Sequence, residues 1–207
     1  MYEYEDCLRK EGFKLIAGTD EAGRGPLAGP VFAAAVILDP GKVIPGIDDS
    51  KKLSASKREY LAKRIKEEAI AYSVAMVSEK EIDKINIYEA SRLAMKKALG
   101  GCLVEPEYVL TDAMPLPGYD KPFLAIIKGD QLSASIAAAS ILAKTERDAY
   151  MLKMAKRYPG YGFERNKGYP TKEHLAALDR LGATPIHRKT YKPVRDRIEK
   201  QISFDME

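Results

Sequence analysis

Two histidines and two cysteines in 207 residues leave little material for zinc or disulfide chemistry. Cys7 and Cys102 lie far apart and form no CxxC pair, so no disulfide framework is expected and a reducing compartment suits the chain. His174 and His187 lack HExxH spacing and cysteine partners, which argues against a zinc site. Long hydrophobic runs are missing too. The longest uninterrupted apolar stretch, Val31–Leu38, is far too short to cross a bilayer. The opening residues, Met1-Tyr-Glu-Tyr-Glu-Asp, are too charged for a signal peptide, so a cytoplasmic protein without a membrane partner is expected. The glycines from 23 to 29 miss the dinucleotide fingerprint by one position, and a proline interrupts them. There is no Walker loop and no GxSxG. Ser54-Ala-Ser-Lys57 matches S-x-x-K formally, but it opens an exposed helix and its partner motifs are absent.

What remains is an ordinary balance of apolar and charged residues, sufficient for one α/β domain with a small helical appendage. The net charge of +4 hides an asymmetry. Lys144 to Lys200 holds fifteen Lys/Arg against seven Asp/Glu, a local excess of +8, so the remainder is acidic by 4. A basic C-terminal third beside an acidic centre suits a polyanion held across a cation-binding site.

Short apolar runs bounded by glycine and proline predict strands at Phe13–Ala17, Val31–Leu38, Tyr72–Val77, Tyr108–Thr111 and Phe123–Ile127. A helix follows the 39–52 loop, with Ser56 and Glu59 as a capping box. Ser78 and Glu81 cap a short helix, and Ile87–Leu99 forms another that stops at Gly100-Gly101. Ser133–Arg157 reads as a long, central helix because its first half is nearly all Ala, Ser and Ile. Thr171–Leu181 and Pro193–Ile202 complete the helices, and His174 is expected on a helix surface.

Adjacent carboxylates Asp20-Glu21, between an apolar run and the turn Gly23-Arg24-Gly25-Pro26, are the strongest chemical signal. An ionised carboxylate at the mouth of a buried strand must be hydrated, paired or metal-bound. The pattern recurs where Tyr108-Val-Leu-Thr runs into Asp112 and Phe123-Leu-Ala-Ile-Ile-Lys-Gly into Asp130. If these strands lie side by side in one direction, Asp20, Glu21, Asp112 and Asp130 form one acidic cluster at their exits. Oxygen-only ligands favour Mg2+ or Mn2+. Lys51 and His187-Arg188-Lys189 are candidate phosphate contacts; Lys144 and Arg147 are expected to pair with neighbouring acids on their own helix.

The segment Gly18-Thr-Asp-Glu-Ala-Gly-Arg-Gly-Pro-Leu-Ala-Gly-Pro resembles the signature of the ribonuclease HII family. Asp49-Ser-Lys-Lys-Leu, Lys128-Gly-Asp, Ser135-Ile-Ala-Ala-Ala-Ser-Ile-Leu-Ala-Lys and Lys167-Gly-Tyr-Pro-Thr-Lys-Glu-His look like further family blocks in the usual order. The compact end with His187-Arg-Lys-Thr-Tyr looks like the bacterial form, and no expected active-site position departs from the pattern. The resemblance implies a ribonuclease H-like fold, with a mixed central sheet flanked by helices and a small C-terminal helical region. Residues 1–157 would be the catalytic domain and 158–207 the part that grips substrate. It further implies endonucleolytic cleavage of RNA–DNA hybrids and of single ribonucleotides in duplex DNA. Asp20, Glu21, Asp112 and Asp130 would be the catalytic metal ligands. Gly23-Arg24-Gly25 would sense the 2′-hydroxyl, and Tyr169 would pack on the adjoining deoxyribose. A monomer is expected. A non-catalytic hybrid-binding protein and a DNA-specific nuclease on the same fold remain alternatives.

Overall fold

The computed structural model describes residues 1–204, with side chains described through Lys200. Five strands form one mixed sheet: β1 (Ile16–Ala22), β2 (Val31–Ile37), β3 (Ala71–Val77), β4 (Tyr108–Asp112) and β5 (Phe123–Ile126). Their spatial order is β3-β2-β1-β4-β5. The first three are antiparallel neighbours, whereas β4 runs parallel to β1 and β5 parallel to β4. The helices are α1 (Glu3–Lys10), α2 (Ala55–Glu68), α3 (Glu79–Gly100), α4 (Gly129–Leu132), α5 (Ala134–Arg157), α6 (Phe163–Asn166), α7 (Lys172–Leu181) and α8 (Lys192–Phe204).

The two-residue alternation of a strand assigns each helix its face. On β2, Val31, Ala33, Ala35 and Ile37 pack against Ala90, Ala94, Ala98 and Leu99 of α3. Ala34 and Val36 face the other way, onto Ala137, Ala138 and Ile141 of α5 and Leu61 and Ile65 of α2. The fully buried alanines of β2 and α5 let sheet and helix approach closely. At Gly18 the approach is closest, because a Cβ there would overlap the Ser135 and Ile136 backbone. Ile16, Gly18 and Asp20 share one parity, so Asp20 turns toward α5. On β4, Leu110 packs with Ile136 of α5, and Asp112 shares its parity.

Several boundaries differ from those read in the sequence. The first strand is not Phe13–Ala17 but begins at Ile16 and carries Asp20 and Glu21 inside it, paired with Ala34 and Ala33 of β2. Strand pairing and burial override the polar letters. Asp130 does not leave a strand directly; it sits in the single turn of α4. The cap of α2 is Ser54, whose hydroxyl accepts from the Lys57 N–H, rather than Ser56. The break expected in α3 falls at Asn86, with φ +67°, whose side chain accepts from the N–H groups of Tyr88 and Glu89 and so restarts the helix. The helices α1, α4 and α6 have no counterpart in the sequence reading. His174 is fully buried, not on a helix surface. No helix among the described residues is long and apolar enough to cross a membrane.

Gly18→Ala should destabilise the fold by roughly 3 kcal/mol, the upper range for overpacking against backbone that cannot yield. Urea denaturation checks it; a loss below about 1 kcal/mol would mean that β1 and α5 separate easily.

Candidate active site

The parallel pairing of β1 with β4 brings the first carboxylates together. Thr19 is in register with Thr111, so Asp20 and Asp112 follow one residue on from paired positions and emerge side by side. Asp112 is itself in register with Ile126 of β5, and the chain then turns through Lys128, with φ +57°, into α4 and Asp130. Lys128 is left-handed, and Gly129, wedged under Ile136, sends its N–H to Asp112 at 2.7 Å. The turn thus orients Asp112 while presenting Asp130 beside it.

The electrostatics express this crowding. Asp20 is pushed well up from the ordinary carboxylate range, first by burial, then by the charges of Glu21 and Asp112. A Ser140 hydroxyl and the Glu21 N–H, at 2.7 Å, offset this only partly. Burial also raises Glu21; Arg24 pulls it back and Asp112 pushes it up again. Asp130 is raised by burial, then by Asp112 and Asp49, and lowered by Lys51, whose Nζ lies 3.5 Å away. One buried oxygen, Glu21 Oε2, has no partner. Among the described residues no three acidic, histidine or cysteine side chains close into a ready ligand set. Each carboxylate instead turns to its own local donor. The donor set still fits hard divalent cations: it is all oxygen, like-charged, largely buried and left with an unused lone-pair oxygen.

A cleft of about 340 Å³ opens over Asp20, Glu21 and Asp112, with Asp130 outside its lining. Asp20, Glu21, Asp112, Gly23, Arg24, Gly25, Lys51 and Tyr169 line it, so eight of the sequence candidates converge. Five further lining residues are Ala22, Ser50, Ser140, Lys144 and Arg147. The last three recur at spacings of four and three along α5, a one-sided helical stripe that could have revealed them. Lys144 pairs with Asp148 as expected, at 2.7 Å. Arg147 does not pair with an acid. It is buried and donates to the carbonyls of Ala28, Pro30 and Lys167. Burial, and then the charge of Arg188, pulls it down to about 10.

The His187-Arg188-Lys189 segment is a correction. Arg188 is fully buried and has no surface to offer a phosphate. Its guanidinium donates to the carbonyls of Gly23, Arg24 and Gly29 at 2.6–2.9 Å, and to the Tyr191 hydroxyl. Tyr191 in turn donates to the Arg24 carbonyl. Arg188 is therefore the frame of the Gly23–Gly29 loop. Gly23, with φ +103°, leaves no room for a side chain, since a Cβ would overlap Arg147. His187 is also buried, and Lys189 lines a different cavity with Glu79, Asp83 and Lys84. Tyr169 is 42% exposed, and a Cβ on Gly25 would lie 3.4 Å from its ring.

Comparison with known proteins places the fold and the family. A ribonuclease H2 structure from Pyrococcus horikoshii superimposes with a TM-score of 0.77 at 27% identity, covering 90% of this chain and 98% of that one. A Bst-RNase HIII structure in complex with Mn2+ shares the fold at 17% identity, with a TM-score of 0.66 over 93% of this chain and 71% of that one. Fold and sequence relationship together define a ribonuclease H enzyme with the ribonuclease H-like fold. Within that class, the family model described as Ribonuclease HII matches residues 17–194, and this chain belongs to the ribonuclease HII family. A curated Ribonuclease HII from Listeria monocytogenes is 52% identical over 205 residues, spanning 99% of this chain and 77% of its own length.

His187 gives a pH signature. Burial, and then the neighbouring His174, lowers its pKa from the usual 6.5 to about 4. The folded ring stays neutral while the unfolded one protonates, so its contribution is complete above pH 6.5. Up to about 3 kcal/mol is lost as pH falls from 6.5 to 4. The raised carboxylates pull the opposite way, because protonation relieves their repulsion. The His187 resonance itself should therefore be followed, and a midpoint near 6.5 in the folded protein would contradict its buried, neutral state.

Proposed function

We propose that this enzyme cuts the RNA strand of RNA–DNA hybrids, and the phosphodiester 5′ to a single ribonucleotide in duplex DNA. Two-metal-ion hydrolysis would leave a 5′-phosphate downstream and a 3′-hydroxyl upstream. The observation that carries this reading is the emergence of Asp20 and Asp112 side by side in a cleft rimmed by Gly23–Gly25 and Tyr169. Asp20, Glu21, Asp112 and Asp130 would hold the ions, Mn2+ or Mg2+. When bound, such ions lower the pKa of the attacking water and offset charge on the departing 3′ oxygen.

The chain's own residues supply the rest. The carboxylates hold cations and do not themselves attack. Lys51 and Lys144, at the cleft, offer ammonium groups to the phosphodiester. Without side chains at Gly23 and Gly25, the backbone of the loop can come within hydrogen-bond range of a 2′-hydroxyl, the group that separates RNA from DNA. The exposed Tyr169 ring beside Gly25 would pack on the adjoining deoxyribose and recognise the RNA-to-DNA junction. Residues 158–207 would grip the duplex, with their exposed lysines and arginines meeting its phosphates. The enzyme is proposed to act as a cytoplasmic monomer.

Duplex DNA carrying one ribonucleotide, incubated with Mn2+, Mg2+ or chelator, tests the reading by mapping the cut. Cleavage 5′ to the ribonucleotide, stopped by chelator, is expected; cutting of all-DNA duplex would sink it. Asp112→Asn should lower cleavage by more than roughly a hundredfold while leaving hybrid binding nearly intact. Full activity in that variant would remove Asp112 from the site. Tyr169→Ala should slow junction cleavage by about tenfold or more, the worth of one base- or sugar-stacking contact. Unchanged kinetics on the single-ribonucleotide duplex would refute its role.

A further inference from the structure

We infer that His174 and His187 form a two-ring hydrogen-bond relay that positions Tyr169 against the Gly23–Gly25 turn, making both histidines positioning residues for junction recognition. The inference rests on the reading of Tyr169 given above. Neither histidine lines the carboxylate cleft. Both are buried beside the stacked rings of Tyr161 and Phe163, which lie 5.2–6.4 Å from the imidazoles.

The partners leave one proton arrangement for the neutral rings. The Thr184 N–H, 2.9 Å away, can only donate, so Nδ1 of His187 carries no proton. A neutral His187 then bears its proton on Nε2 and donates to Nε2 of His174 at 3.0 Å. That atom must be bare, which places the His174 proton on Nδ1, 2.9 Å from the Tyr169 carbonyl, an obligate acceptor. The Thr184 hydroxyl, 2.8 Å from His187 Nδ1, can rotate to donate there as well; each end of the relay is fixed by a backbone group, and the two assignments agree. The charges that act on His174 are those of Arg197 and Glu173, in opposite senses.

The relay joins the two sides of the cleft rim. Beside His187, Ala28 forms an antiparallel bridge, and the Arg188 N–H donates to the Leu27 carbonyl. At the other end, the Tyr169 carbonyl also accepts from the Thr171 N–H, and the Tyr169 N–H donates to Asn166. The Leu27 N–H reaches the Gly168 carbonyl at 2.8 Å, so glycine loop and tyrosine loop move together. With the His174 bond cut, one restraint on the residue carrying the exposed ring is lost, while the carboxylates and the Arg188 frame stay in place.

Two measurements test this. In nitrogen-15 correlation spectra of the wild-type protein at neutral pH, His187 should be the Nε2–H tautomer and His174 the Nδ1–H tautomer. The opposite tautomer at either ring, or an imidazolium, overturns the relay. In kinetics, His174→Leu should lose roughly five- to tenfold in kcat/KM on the single-ribonucleotide duplex, the net worth of one buried hydrogen bond, and little on a uniform hybrid. His174→Asn, whose amide can still donate to the Tyr169 carbonyl, should recover most of the loss and carries the test should the leucine variant fail to fold. In a Tyr169→Ala background, His174→Leu should cost nothing further. Equal loss on both substrates, no recovery in a folded asparagine variant, or additivity with Tyr169→Ala overturns the positioning role. If Tyr169→Ala alone is without effect, the reading of Tyr169 falls and the positioning role with it, whatever the tautomers.

Discussion

Carboxylates held together against their own repulsion are the constraint around which this molecule is arranged. Asp20 and Asp112 emerge side by side because β1 and β4 are hydrogen-bonded neighbours running in one direction. An antiparallel pairing would have sent the two C-terminal ends to opposite ends of the strands. The backbone ladder, the buried alanines of β2 and the close seat of α5 hold the strands in that register. Burial and like charge raise Asp20, so the fold stores an electrostatic cost at the site which a divalent cation would relieve.

The second constraint is the shape of the cleft rim. A glycine-rich loop has many conformations, and here Arg188 reduces them to one by donating to three of its carbonyls. Arg147 does the same from α5, donating to Ala28, Pro30 and Lys167. Buried arginines used this way are unusual, because desolvating a guanidinium is costly unless its donors are met. Carbonyl oxygens meet most of them here. The rim therefore stands ready in shape, and the tyrosine opposite is tied to it through Gly168 and the histidine pair.

Much of the fold was legible in the letters because the apolar periodicities are strong. The alanine-rich first half of α5 announced a central helix, and four of the five strands fall within a residue or two of their expected bounds. The first strand was placed too early because Gly18, Thr19, Asp20 and Glu21 look like loop letters. They are strand residues because β2 pairs with all four on one side and β4 with Gly18 and Thr19 on the other. Asp20, Glu21, Asp112, the glycine turn and Lys51 stand out from local context, Tyr169 from the family resemblance, and all of them line one cleft, whereas Asp130 lies outside its lining. Arg188 and His187 are buried rather than phosphate-facing, and a basic letter gives no sign of whether its side chain faces water or a ring of carbonyls.

The sequence alone determined which chemistry was possible: oxygen ligands without zinc-type partners, glycines where backbone must come close, and the family that carries them. Those properties belong to residues and short segments, so they survive in one dimension. Tertiary structure alone decided which charged groups remained open to the cleft and which became framework. Lys51 and Lys144 stay at the cleft with their ammonium groups, Arg147 lines it while its guanidinium is spent on carbonyls, and Arg188 and both histidines turn inward. The reason is physical: a side chain's surroundings come from segments distant in sequence, and Arg188 acquires its role only where its guanidinium meets carbonyls about 160 residues earlier in the chain.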